Sequence, residues 1–209
     1  MAEKTQQTED LIKETAMRLF FQKGHIHATT QEIADEAGVN RALIHYYFRS
    51  RDLLFEKVLH ETLGAMRQKI DDIFSSNETL FNKISRFIDI FIDQNIDYPY
   101  LETFLVTEMA KNSETIKQMR PSDERRDDLK KKVEQQLRDE IAAGTIEPIA
   151  IEHFMINLMS LCNYPLIAKP MVQDFFHFDE AAYKKFLLER RNVVLQTLFK
   201  QKNLTPDLK

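Results

Sequence analysis

Apolar positions recur every three or four residues along most of the chain, and alternating strand-like stretches are absent. The spacing predicts a first helix from about Glu9 to Lys23, capped by Thr8, with Ile12, Ala16, Leu19 and Phe20 as its stripe and Gly24 as its stop. A short second helix opens at Thr29, where Glu32 completes a capping box; Ile33, Ala34 and Ala37 face inward and Gly38 ends it. Asn40 caps a third short helix, in which Ile44 and Phe48 share a buried face at i, i+4. From Arg51 a longer stripe, running from Leu54 to Ile73, carries a helix to the break "SSNE" at 75–78, where Ser76 or Asn77 is the expected cap of the next.

Beyond the break, "LFNKISRFIDIFIDQNI" and "YLETFLVTEMAKN" read as two helices hinged at Asp97, Tyr98 and Pro99. "SDERRDDLKKKVEQQLRDEIAAG" is a charged helix with a thin seam of Leu129, Val133, Leu137 and Ile141, closed by Gly144; its charge run is a solvated face. "AIEHFMINLMSLCNY" is apolar on more than one side before Pro165 and Pro170 interrupt it, and Asp179 caps a last helix over 179–200. The expected class is all-α: a three-helix head over residues 1–50, then a helical bundle over 51–209.

Composition changes this picture little. Four glycines and six prolines in 209 residues suit long helices, and 43% apolar residues is ordinary for a globular chain. No run approaches the roughly 18–20 apolar residues that span a bilayer. The charged start lacks the apolar stretch of a signal peptide, and the single Cys162, in an apolar helix, reads as a buried thiol. Both features fit a cytoplasmic protein that makes no use of a membrane. A net charge of −4 does not announce a nucleic-acid binder, and residues 1–51 hold seven basic and seven acidic side chains. Residues 39–51, however, contain Arg41, Arg49 and Arg51 and no acid.

Two short capped helices joined by the glycine turn "AGVN" form a helix-turn-helix. In that motif the second helix enters the major groove of double-stranded DNA and offers its N-terminal residues to base edges. Arg41 suits guanine O6 and N7, His45 lies one turn on along the same face, and Ala42 permits close approach or contact with a thymine methyl. Tyr46, Tyr47, Arg49 and Arg51 suit phosphate oxygens, and Thr30 with the amides opening the second helix offers a further anion site. Ile44 and Phe48 are simply core.

The stretch "TTQEIADEAGVNRALIHYYFRSRDLLFEKVL", preceded by "LFFQKG", resembles the N-terminal domain of the TetR family of bacterial transcriptional regulators over about residues 8–60. The glycine, the alanine before it, the helix-3 aromatics and the following phenylalanine all fall in register. The resemblance implies a DNA-binding head on a larger helical body. It further implies a homodimer that usually represses genes from a palindromic operator, and release when a small molecule enters the body. Carried over by position, Gln31, Arg41, Ala42 and His45 are the implied base contacts, and Thr30, Leu43, Tyr46, Tyr47 and Arg51 the implied backbone contacts. Leu43 stands where the family often has threonine and His45 where tyrosine is usual, so the operator sequence does not carry over.

In the body, Phe87, Phe91, Tyr98, Phe104, Phe154 and Leu158 are the candidate lining of a pocket for a hydrophobic effector; the plainer reading of each is core. The last two long helices offer Met155, Met159, Cys162, Phe186, Val193, Val194 and Leu198 for a dimer interface, which the resemblance implies is a four-helix one across a two-fold axis. No cofactor or metal is implied. Glu-x-x-His pairs, His-Glu-x-x-His and a phosphate-binding glycine loop are missing, and His25 with His27 reads as a loop, so an enzyme is not expected. The alternative within DNA binding is a dimer governed by DNA or a protein partner without an effector.

Overall fold

A computed structural model describes residues 2–111, 114, 117 and 122–199, and all regular structure among them is helical. The elements are α1 (Ala2–Met17), a π-helical turn (Arg18–Gln22), α2 (Thr30–Ala37), α3 (Arg41–Phe48), α4 (Arg51–Ser75), α5 (Leu80–Asp97) and α6 (Leu101–Ala110). They continue with α7 (Asp123–Ala142), α8 (Ile151–Ile167), α9 (Lys169–Phe176) and α10 (Glu180–Leu198). No helix among the described residues is long and apolar enough to cross a membrane.

The chain divides into two compact units, one running up to Gln68 and taking in a segment from Asp97, the other holding the remainder. The expected boundary near residue 50 therefore differs from the packing. Leu54, Phe55, Val58 and Leu59 of α4, with Leu101 and Leu105 of α6, join Ile12, Phe20, Ile33 and Ile44 in the core of the first unit.

Local chemistry explains the ends. Thr29 Oγ1 accepts from the Glu32 amide while the Glu32 carboxylate accepts from the Thr29 amide, so the capping box is present. Gly38, at φ 66°, donates to Asp35 O, and Val39 donates to Ala34 O at 3.0 Å, the paired bonds of a Schellman stop. Asn40 Oδ1 accepts from the Ala42 amide at 2.8 Å and opens α3. The first helix begins earlier than expected, at Ala2, leaving Thr8 inside it. It ends in the π turn, where Lys23 donates to Arg18 O at 2.9 Å. The wider turn lets the consecutive Leu19, Phe20 and Phe21 all face the core. Thr79 rather than Ser76 or Asn77 opens α5, accepting from the Asn82 amide at 3.3 Å, while Ser76 Oγ donates to Ile73 O.

In the second unit the apolar stripe of α5 (Ile84, Phe87, Ile88, Phe91) is buried, as is that of α8 (Phe154, Leu158, Cys162, Leu166). Pro165 does not end α8 but lies within it, and Pro170 falls in the first turn of α9. A proline removes the amide that would bond the carbonyl four residues back. That carbonyl, Leu161 O, instead accepts from Arg190 Nε of α10 at 3.3 Å, and Tyr183 Oη donates to Pro165 O at 2.8 Å. Arg191 adds ion pairs from α10 to Asp89 and Asp93 of α5. The expected ends of two helices at Asn112 and Lys200 lie outside the described residues.

Candidate nucleic-acid interface

The eight residues of α3 separate into two faces. Ile44 and Phe48 are buried, and Leu43 and Tyr47 are half-buried against the same core. Arg41, Ala42, His45, Tyr46 and, just past the helix, Arg49 are exposed. Exposure at i, i+1, i+4, i+5 and i+8 is one continuous helical stripe, and Tyr46 keeps 69% of its surface in solvent. A large aromatic left so bare has not been recruited for packing, although its ring meets that of Tyr47 edge-on at 5.0 Å.

Neighbours fix the polar groups of this stripe. Arg41 Nε donates to Thr30 Oγ1 at 3.0 Å, and Thr30 is buried. Thr30 thus holds the exposed arginine from α2 through Nε and leaves the guanidinium fork of Nη1 and Nη2 outside that bond. That fork is the shape needed for two adjacent acceptors on a guanine edge. His45 Nδ1 lies 2.9 Å from Arg49 O. A carbonyl can only accept, so Nδ1 carries the proton in this bond and Nε2 takes no part in it. Gln31 is exposed, with Nε2 donating to Asp35 at 2.7 Å and its carbonyl oxygen free of that bond.

Arg49 holds an unusual backbone, φ 68° and ψ −45°, with Ser50 N donating to Phe48 O at 2.7 Å. This is a γ-turn of the rare positive-φ kind, strained for a residue with a Cβ. The His45–Arg49 bond helps hold it, so strain sits at the end of the reading helix.

Arg51 departs most from its expected place. Its guanidinium lies over the rings of Phe20 at 5.1 Å and Phe55 at 4.9 Å. Nε donates to Ala28 O at 3.3 Å, Nη2 donates to Ile26 O, and Nη1 pairs with Asp52 at 3.2 Å. Nε and Nη2 are turned inward and close the loop between the π turn and α2, while Nη1 stays with the exposed Asp52. Sequence spacing could not tell an outward arginine from one stacked on the remote Phe20 as well as on Phe55 one turn away. On the far side of α2, Glu36 takes Lys23 and Arg18, and the Lys23 bond holds its carboxyl below the usual glutamate range.

The residues expected to line an effector pocket divide between the two units. Tyr98 and Phe104 pack on the first core, Phe104 against Phe21 and Phe55 at 5.9 and 5.3 Å. Phe87, Phe91, Phe154 and Leu158 are buried in the second unit, with Phe87 stacked on Phe91 at 5.9 Å. Of the residues expected at a dimer interface, Cys162, Val194 and Leu198 are sealed within their own unit, at 3%, 0% and 9% exposure. Met155, Met159 and Phe186 are partly covered and Val193 is open. Besides Val193, the apolar positions left in solvent on these helices are Ile156, Tyr164 and Ile167 on α8, Met171, Phe175 and Phe176 on α9, and Leu188 on α10. Each long helix spends one stripe on its own core, and only the opposite stripe is free.

Comparisons agree with this arrangement. Residues 12–58 match the family model "Bacterial regulatory proteins, tetR family", and residues 74–207 match "Tetracyclin repressor-like, C-terminal domain". The chain is 24% identical over 199 residues to the probable HTH-type transcriptional regulator YttP of Bacillus subtilis, covering 92% of this chain and 94% of that one. It is 31% identical over 77 residues to the HTH-type transcriptional regulator BetI of Brucella anthropi, covering 37% of this chain and 40% of that one. Among solved structures, the ketosteroid transcriptional regulator KstR2 of Mycobacterium tuberculosis superposes with a TM-score of 0.66 at 14% identity, covering 92% and 95% of the two chains. HlyIIR, a hemolysin II transcriptional regulator, superposes at 0.61 with 20% identity, covering 94% and 99%.

Proposed function

Because the chain belongs to the TetR family and is a helix-turn-helix, DNA-binding regulator of transcription, we propose that it acts as a homodimer that represses transcription from a palindromic operator and leaves it when a small effector binds the helical body. The observation that carries the reading is the exposed stripe of α3, with Arg41 held by Thr30 and His45 by Arg49 O. A helix whose polar side chains are pre-oriented but unburied is organised for an outside partner. Arg41, Ala42, His45 and Gln31 read base edges; Tyr46, Tyr47 and Arg49 hold phosphates; Leu43, half-buried, contributes a methyl contact at most. No catalytic role is assigned.

The exposed apolar stripe of α8 to α10 supports dimerisation, since a stable interface needs about 800 Å² from each partner and a centre of such residues. Met155, Met159, Phe186 and Val193 border it, and the buried Cys162, Val194 and Leu198 support it from beneath. Two heads related by a two-fold axis require two half-sites in inverted order.

The test is selection of bound sequences from a random duplex pool, followed by titration of the winner at two salt concentrations. A palindromic winner bound far more tightly than random DNA is expected. Arg41→Ala is expected to cost roughly 1–3 kcal/mol on that site and little on random DNA. No enrichment by a folded dimer would overturn the reading.

A further inference from the structure

A second polar arrangement, in the body of the protein, is not used by the DNA-reading surface. Lys83 lies on α5 one turn after Leu80, in the middle of a buried apolar stripe, and only 4% of it is exposed. Its ammonium donates to Phe74 O, in the last turn of α4, at 3.3 Å and to Gln136 Oε1 of α7 at 3.1 Å. Both acceptors are neutral, and among the described residues no carboxylate pairs with it. An ammonium carries three donors, so one N–H remains. Burial holds Lys83 below the ordinary lysine value; Glu78 opposes that shift and Lys132 adds to it.

A cleft of about 420 Å³ opens beside this lysine. Lys132 also lines it, with Asp128 at 2.7 Å as its partner along α7. Ser75 and Asn77 contribute side-chain donors that make no hydrogen bond among the described residues, and Phe74 contributes an apolar face. No lining residue is acidic. Lys132, although paired with Asp128, still adds positive charge beside Lys83, and a buried charge held only by neutral acceptors remains poorly compensated. Capping the end of α4 explains one bond of Lys83. It does not explain the second cation, the free donors or the space.

We propose that this cleft binds a small organic anion, its carboxylate or phosphoryl headgroup held between Lys83 and Lys132 and its apolar body laid against Phe74. The volume falls in the range of small-molecule sites. The assignment deepens the effector reading by giving the ligand a charged head, and depends on that reading only for its consequence at DNA. An anion here takes the remaining N–H of the Lys83 ammonium, beside the bond to Phe74 O at the end of α4, the helix that begins three residues after α3 ends.

The test is thermal unfolding of the whole protein with benzoate or phenyl phosphate, against sodium chloride at equal ionic strength. A saturable rise in Tm is expected with at least one probe; the responding probe identifies the headgroup, and inorganic phosphate alone is expected to bind more weakly. Lys83→Met, which keeps the stem and removes the charge, is expected to abolish the rise. Lys132→Ala, at an exposed position, is expected to weaken it about tenfold, and serves alone should the first variant not fold. No saturable rise with either probe, or a rise undiminished in the folded variants, overturns the site. Titration of operator binding with the same probe then tests the effector reading separately, because binding without DNA release leaves the site standing and removes the effector role.

Discussion

Replacing Arg51 by methionine separates two readings of one residue. As a phosphate contact, Arg51 would contribute to DNA affinity and little to folding. The structure instead packs its guanidinium over Phe20 and Phe55 and directs it at the carbonyls of Ala28 and Ile26. Each cation–π contact is worth roughly 0.5–2 kcal/mol. Each carbonyl left without its charged donor costs about 1–3 kcal/mol where water cannot replace it. Desolvation of the guanidinium offsets part of this, and methionine preserves most of the packing of the stem, so the net loss is about 2–4 kcal/mol. Urea unfolding followed by circular dichroism reads that loss as a lower midpoint at unchanged m. Operator binding measured across salt concentrations gives the second number, since losing a true phosphate contact lowers the slope of log K against log salt by about 0.9. A variant with wild-type stability and a reduced slope would refute the inward assignment. A destabilised variant with the full slope would confirm it.

Other expectations concern backbone and charge. Arg49→Gly relieves the positive-φ turn and is expected to raise stability by about 1 kcal/mol in thermal unfolding while weakening operator binding; unchanged stability would mean the turn is not strained. A Cβ on Gly24 would meet the Tyr100 ring at 3.0 Å, whereas one on Gly38 meets nothing within 4 Å, though both have positive φ. Gly24→Ala should therefore lower Tm more than Gly38→Ala, whose cost is about 1 kcal/mol of backbone strain. Burial lifts the Glu102 carboxyl from 4.5 to about 7. Folding thus takes up a proton, so the stability associated with the neutral acid is complete below pH 4.5 and is lost as pH rises through 7. Glu102→Gln should unfold at higher urea than the parent at pH 8, by about 1–2 kcal/mol, with the difference vanishing near pH 4.5; a constant difference would exclude this cause.

Much of this molecule can be read along the chain where a signal is local. The Thr29–Glu32 box, Gly38, Asn40 and Asp179 each act within a few residues of themselves, and each stands where its chemistry requires. The two faces of α3 follow from Ile44 and Phe48 alone. What cannot be read depends on distant partners. Arg51 reads as a phosphate ligand because Phe20, the ring it covers, is remote in sequence, and Cys162, Val194 and Leu198 read as available because apolar stripes do not say which neighbour they meet. Pro165 reads as a break because its substitute donor, Arg190, lies on another helix. Lys83 does leave a local signal, a lone charge at a core position between Leu80 and Phe87, which pattern reading passes over among the apolar residues.

The bond from Arg190 to Leu161 O makes α8 and α10 incomplete without each other. An isolated α8 would carry a bare carbonyl one turn before its proline, and Tyr183 would have lost the acceptor that lets its hydroxyl be buried. The two helices should therefore open together in hydrogen exchange, with one free energy for both, while α7, bound to neither of these groups, opens on its own schedule. The same coupling orders assembly in time. The last turns of α8 stay open to water until α10 docks, so the apolar stripe beside them acquires its final shape only when the later helix has arrived.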